Sequence, residues 1–168
     1  MQAGLALAVL TADCLPVVLV RRGAGSPTGL PTGSPIGIAH AGWRGITSGV
    51  LEQLLESMPC NPEELEVWLG PAIGPTVYQV GEDVREAVLS LPGGEKLAEQ
   101  SLNRQSKARG SARYLFDLAQ LAGHLLRRCG VETITASGLC TLGDPRFYSY
   151  RRDGVTGRMA TLVWLPSP

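Results

Sequence analysis

At 168 residues the chain is long enough to bury a core of its own, and its 15 Lys+Arg balance its 15 Asp+Glu, so no net field draws in nucleic acid or anionic membrane. A hydrophobic share of 44% against 18% charged excludes a disordered chain, and the first apolar run falls well short of the roughly 18–20 residues a membrane span needs. One globular domain over residues 1–168, cytoplasmic by default, is expected, and its 4 cysteines lack CxxC spacing and read as free thiols.

Residues 5–10 form a continuous apolar run, the pattern of a buried strand. The apolar character resumes at 17–20 after Thr11-Ala12-Asp13-Cys14-Leu15-Pro16, where Pro16 predicts a kink or strand break. A central strand rarely opens a domain, so the first strand is expected to be an edge or the start of a piece of a longer protein. Residues 23–35, rich in Gly, Pro, Ser and Thr, predict a loop. A second strand is predicted at 36–41, then a tight turn at Gly42-Trp43-Arg44-Gly45. Helical spacing follows over 46–58, carried by Ile46, Val50, Leu51, Leu54, Leu55 and Met58. Residues 65–69 predict a third strand, and 70–75, with two Gly-Pro pairs, an irregular loop. A short helix is predicted at 84–91, ended by Pro92-Gly93-Gly94, with 95–113 polar and ill-defined. Residues 114–129 predict an amphipathic helix closed by Gly130. A strand is predicted from 134 to 137. From Phe147 the pattern is strand, turn at Asp153-Gly154, and last strand 159–165. Strands alternating irregularly with helices predict an α/β or α+β layered sandwich, mixed sheets flanked by helices.

Two residues at the ends of strand-like runs, Cys14 and His40, carry the donor types that zinc takes, and copper also accepts both. They fall one short of the three protein ligands of a catalytic zinc; a buried thiol beside a hydrogen-bonded histidine is the structural alternative. The other histidine, His124, shares a helical register with Leu121 and Leu125 and reads as a helix-face residue. Asp13 points away from Cys14 if the backbone there is extended, and serves to orient a ligand, take a proton or hold a turn. Arg44, at a helix start, suits a phosphate or carboxylate, or else stacks on Trp43. In Tyr148-Ser149-Tyr150-Arg151-Arg152-Asp153-Gly154, strand alternation places Tyr148, Tyr150 and Arg152 on one face. That face suits a nucleobase and a phosphate, or is a solvated hairpin. Cys140 is a nucleophile only if the fold brings His40 to it as a base.

The order of Thr11-Ala12-Asp13-Cys14-Leu15-Pro16, His40-Ala41-Gly42-Trp43-Arg44-Gly45, Gly70-Pro71-Ala72-Ile73-Gly74-Pro75, Cys140-Thr141 and the Tyr148–Arg158 string resembles the bacterial YfiH-type proteins. That family, formerly labelled polyphenol oxidase or multicopper laccase-like, is regarded as one of purine nucleoside phosphorylases. The resemblance spans nearly the whole chain. It implies a layered α/β fold and a His, Cys, His zinc site, with Cys14 as the cysteine and His40 as the second histidine. The first histidine lies in an upstream Gln-Val-His-Gly-like segment that this sequence lacks, so the domain is expected to be N-terminally truncated relative to the family. The implied activity is phosphorolysis of adenosine or inosine, with adenosine deamination and methylthioadenosine cleavage beside it. Asp13, Cys14, His40 and Arg44 are the implied catalytic set, and Arg44, Tyr150 and Arg152 the substrate contacts. The implied partners are a purine nucleoside and phosphate, with no nucleic acid or membrane, in a monomer or homodimer. Rival readings are a copper-dependent polyphenol oxidase, which two histidines cannot furnish with enough ligands, a cysteine hydrolase, and a non-catalytic fragment.

Overall fold

A computed structural model of the protein describes residues 6–22, 35–105 and 112–165. The loop expected at 23–35 therefore lies almost wholly outside the described residues, as does the centre of the 95–113 stretch.

The core is a four-stranded sheet in the order β3 (Ile36–Ala41), β2 (Leu15–Arg21), β4 (Leu65–Leu69), β8 (Thr133–Ala136). The first three strands run antiparallel and β4 pairs with β8 in parallel. Leu15, Val17 and Leu19 of β2 and Val67 and Leu69 of β4 are buried together with Leu51, Leu55, Leu121 and Leu125. Those last four come from helices α2 (Val50–Glu56) and α5 (Leu118–Arg128), whose apolar residues at helical spacing cover the sheet. Strand β1 (Ala6–Thr11) pairs antiparallel with β9 (Met159–Trp164) in a separate ribbon that lies beside β2 and β3. A third, small sheet of β5 (Gln79–Val80), β7 (Tyr114–Phe116) and β6 (Leu102–Arg104) packs with helices α3 (Glu82–Leu89) and α4 (Gly94–Ser101). The layered mixture of sheets and helices is the one the sequence predicts. Among the described residues no helix is long and apolar enough to cross a membrane.

Several local expectations are corrected. Strand β1 is not buried, because every second side chain faces outward and its only strand partner among the described residues is β9. Pro16 does not end a strand; it sits inside β2, and the break falls earlier, at residues 12–14. The helix expected over 46–58 begins at Trp43 as α1 (Trp43–Thr47) and is broken before α2 by Gly49, which takes a left-handed φ of 86°. Helix α4 occupies stretch that read as featureless, because Leu97 and Ser101, one turn apart, are buried while most of its other positions face water. Residues 114–116 are strand rather than helix: Tyr114 and Phe116 are buried in period two, and the Asp117 side chain caps α5 by accepting from Gln120 N at 2.8 Å. The hairpin strand predicted near Tyr150 is instead a helical turn, α6 (Tyr150–Asp153), capped by Ser149.

Candidate functional site

The β2–β3 register sets Leu15 against Ala41 and Pro16 against His40. Ala39, Ala41, Leu15 and Val17 go to the core, which turns His40 to solvent on the exposed side of β3. Just past the paired segment, the Cys14 thiol lies against the glycine turn. A Cβ on Gly42 would stand 2.9 Å from Cys14 Sγ, so the close approach requires glycine there. Cys14 and His40 line one hollow of about 580 Å³, within the range of small-molecule sites.

The same hollow is lined by Asp13, Trp43, Arg44, Tyr78, Tyr150 and Arg151. The Arg44 guanidinium lies 4.3 Å from the Trp43 ring centroid, the stacked alternative raised from sequence, while the residue stays open to solvent. Arg151 donates to the Gln79 carbonyl at 2.7 Å and sits 5.2 Å over the Tyr78 ring. Burial, with the negative charge Cys14 can carry, pushes the Tyr78 phenol up to about 12, so it is a neutral hydroxyl at physiological pH. Burial first and the Asp13 carboxylate second raise the Cys14 thiol above its ordinary value, with Arg158 opposing. A bare Cys14 is therefore a thiol, and a bound cation is the means of making it a thiolate.

Asp13 has a non-extended backbone, φ 87°, the one left-handed non-glycine among the described residues. Its carboxylate is buried and takes three donors: Thr141 Oγ1 at 2.6 Å, Ser149 Oγ at 3.1 Å and Arg151 N at 2.7 Å. Its carbonyl accepts from Ile73 N at 3.0 Å. The left-handed turn folds Asp13 inward to these partners, so the opposite pointing expected from an extended strand does not arise. Three of the carboxylate's roughly four acceptor sites are thus occupied, and the geometry makes Asp13 a clamp that holds the Cys14 segment to the 140–151 segment.

Sequence candidates thus divide. Asp13, Cys14, His40, Arg44 and Tyr150 meet at one hollow. Arg152 does not line it: its guanidinium pairs with Asp153 at 2.8 Å and reaches the carbonyls of Thr141, Leu142 and Phe147, a brace within the 141–153 segment. The helical turn of α6 is the reason, since it rotates Arg151 rather than Arg152 to the hollow. His124 lines a different hollow with Lys96 and Arg128. Cys140 Sγ accepts from Gly74 N at 3.2 Å and is likewise apart from His40. Sequence reasoning gave no site role to Tyr78, Arg151, Thr141 or Ser149; the last three carried a signal, lying in the same strings as Cys140 and Tyr148. A second hollow of about 450 Å³ lies between the 70–75 loop and α5, but its walls hold neither histidine nor cysteine. Among the described residues no group of three or more His, Cys, Asp or Glu gathers as a metal cage, and Cys14 with His40 supplies two donors where a catalytic zinc takes three from protein.

The family model described as multi-copper polyphenol oxidoreductase laccase matches residues 1–166. Purine nucleoside phosphorylase YfiH of Escherichia coli is 42% identical over 163 residues, which cover 96% of this chain and 60% of that protein. Purine nucleoside phosphorylase of Xylella fastidiosa (strain Temecula1) is 43% identical over 166 residues, 97% of this chain and 58% of its own. The crystal structure of Neisseria meningitidis protein NMB0706 superposes with a TM-score of 0.82 at 39% identity, over 96% of this chain and 61% of that one. YlmD from Geobacillus stearothermophilus gives 0.79 at 32% identity, over 99% and 59%. The chain spans about three-fifths of the length of the relatives it matches.

Proposed function

The chain belongs to the multi-copper polyphenol oxidoreductase laccase family, and on that premise we propose that it works as a zinc-dependent purine nucleoside phosphorylase. The observation that carries the reading is the meeting of Cys14 and His40 with two guanidinium groups, Arg44 and Arg151, around one hollow. Relatives named purine nucleoside phosphorylase point to the substrates, and oxidase chemistry finds little support in a chain whose 2 histidines, His40 and His124, line separate hollows.

In this reading Arg44 and Arg151 hold phosphate by paired N–H donors and set one oxygen toward the ribose C1′. As that oxygen bonds to C1′, the bond from C1′ to the purine nitrogen breaks, and the base leaves taking the proton that the hydrogenphosphate carried, so that ribose-1-phosphate and neutral base result. Tyr150 and Trp43 offer ring faces to the base. Tyr78, held neutral, can donate its hydroxyl hydrogen to an anionic oxygen. Asp13 keeps Cys14 and the Arg151 backbone in register. Cys14 and His40 would hold zinc, with water or a donor from another chain at the further position; bound there, zinc would supply a Lewis acid and a water of lowered pKa, the chemistry that adenosine deamination needs. Methylthioadenosine falls within the same substrate class. Four free thiols suit a reducing, cytoplasmic compartment.

The test is product analysis after incubation with adenosine or inosine, zinc, and phosphate present or omitted. Free base with ribose-1-phosphate, formed only with phosphate, supports the reading. Base release that ignores phosphate, or none at all from the zinc-loaded protein, overturns it.

A further inference from the structure

Where α4 and α5 face one another, part of the seam is polar. Helix positions three and four apart share a face, so Gly93, Lys96, Leu97 and Gln100 form one stripe along α4 and the residue that precedes it, and His124 and Arg128 form one on α5. These six residues line a hollow of about 360 Å³, a size within the range of small-molecule sites. Leu97 is its one buried apolar side chain; His124 is half-buried, and Lys96, Gln100 and Arg128 are exposed around it. Elsewhere α5 packs as an ordinary core helix, with Leu121, Ala122, Leu125 and Leu126 buried. The charge of the hollow is one-sided. Lys96 and Arg128 are cations, no acid lines the hollow, and neither cation makes an ion pair among the described residues. Of the acids on α4, Glu95 stands outside the lining and Glu99 lines a different hollow with Asn103. Arg128 is fixed in place without an acid: its guanidinium donates to the Pro92 carbonyl and lies alongside Gly93. His124 Nε2 is buried with no hydrogen-bond partner among the described residues, and the broad χ2 well of histidine lets the ring turn that nitrogen to the hollow.

We propose that this hollow is a second ligand site, one that takes a phosphoryl group, either free or carried on a small monoester. Charge selects the ligand: a phosphate monoester bears close to two negative charges at neutral pH, which match Lys96 and Arg128, where a single carboxylate leaves one cation over. The planar guanidinium, already held at one corner by the Pro92 carbonyl, gives its remaining N–H groups to the phosphoryl oxygens, and the Lys96 ammonium closes on them from α4. Gln100 and the His124 ring are the uncharged hydrogen-bonding groups left for a hydroxyl or an ester oxygen, and Leu97 lies against the carbon skeleton. The hollow shares no lining residue with the one that holds Cys14 and His40, so the site stands apart from the proposed catalytic one.

The chain's 2 histidines give each hollow its own reporter in a proton NMR titration, His124 for this one and His40 for the other, with His124→Gln fixing the assignment. The probes are glycerol 3-phosphate, inorganic phosphate and plain glycerol, each at fixed pH and ionic strength. Glycerol 3-phosphate is expected to shift the His124 ring signal saturably, with a Kd of about 1 mM or tighter, while glycerol leaves it in place. Tighter binding of the ester than of inorganic phosphate assigns the site to a monoester, and equal binding assigns it to free phosphate; both support the proposal. Lys96→Gln removes an exposed cation and should weaken binding about tenfold or more, with Arg128→Gln doing the same from α5. Arg127→Gln, one residue away and lining another hollow, is the control and should bind like the parent. An unmoved His40 signal in the unliganded variants shows that their fold is intact. A His124 signal still in place at about 20 mM glycerol 3-phosphate, far above the expected Kd, would overturn the proposal. So would a shift that sodium chloride reproduces, or one that Arg127→Gln weakens as much as Lys96→Gln does, since either marks a general field rather than a site. No readout involves turnover or zinc, so a failure here and a failure of phosphorolysis are told apart.

Discussion

Replacing Asp13 tests the clamp most directly. Its carboxylate accepts from the Thr141 hydroxyl at 2.6 Å, the Ser149 hydroxyl at 3.1 Å and the Arg151 amide at 2.7 Å, with Thr141 and Ser149 fully buried. Hydrogen bonds to a charged acceptor contribute about 1.5–3 kcal/mol each, and removing the acceptor leaves three donors without a partner. The three share one group and are not additive, so Asp13→Ala is expected to cost about 3–5 kcal/mol. Alanine at a φ of 87° adds about 1 kcal/mol that glycine does not incur. Asp13→Gly should therefore be the milder of the two by that amount. Asp13→Asn keeps the shape and one acceptor oxygen, and is expected to cost about 1–3 kcal/mol. Urea titrations at pH 7, followed by circular dichroism, measure each cost; an unchanged slope m shows that stability alone has moved. A double-mutant cycle with Thr141→Val, which removes the hydroxyl at nearly constant volume, should recover a coupling energy of about 1–2 kcal/mol. An Asp13→Ala protein within about 0.5 kcal/mol of the parent would refute the clamp and return Asp13 to the rank of a free acid–base group.

Other expectations follow from the same site. Gly42→Ala drives a methyl group to 2.9 Å from Cys14 Sγ, and should weaken zinc binding by tenfold or more in a competition titration while leaving the helices intact. Arg44→Ala and Arg151→Ala should each raise the phosphate KM by about tenfold or more, the loss of a charge-assisted contact. Arg152→Ala, whose guanidinium braces three carbonyls, should lower the thermal midpoint as well as activity. Folding raises the Tyr78 pKa, so stability is fully present below the ordinary phenol value near 10 and falls as pH rises through about 12. Phenolate absorbance should show one tyrosine titrating near 12, and Tyr78→Phe should abolish that step.

Much of the frame is legible in the sequence. Periodicity alone finds β3 and β4 at their observed bounds, and the run from Ile36 through Arg44 reads as strand, turn and helix because glycines punctuate it. The donor types of Cys14 and His40 are legible at two strand ends, but nothing local states that β2 sets Pro16 against His40 and so brings the Cys14 segment to the same hollow. What fails does so for identifiable reasons. An apolar run cannot report whether both faces are covered, so β1 reads as buried. The period-two burial of Tyr114 and Phe116 is masked by the helical spacing of the Leu-rich segment just after it. Arg151 and Arg152 are chemically alike, and only the helical turn capped by Ser149 decides which one meets the hollow. Tyr78 lies in a loop, and tertiary packing alone gives it a role.

The contacts that complete the hollow span nearly the whole sequence: Asp13 reaches partners 128, 136 and 138 residues away. Such closures are the last a chain makes, because the loop entropy must be overcome before they form. During synthesis the cysteine and the glycine turn leave the ribosome long before Ser149 and Arg151 do, so the Cys14 segment must wait unclamped. A ribosome stalled before residue 141 would therefore display a fold with most of its central sheet and an unassembled Asp13 clamp.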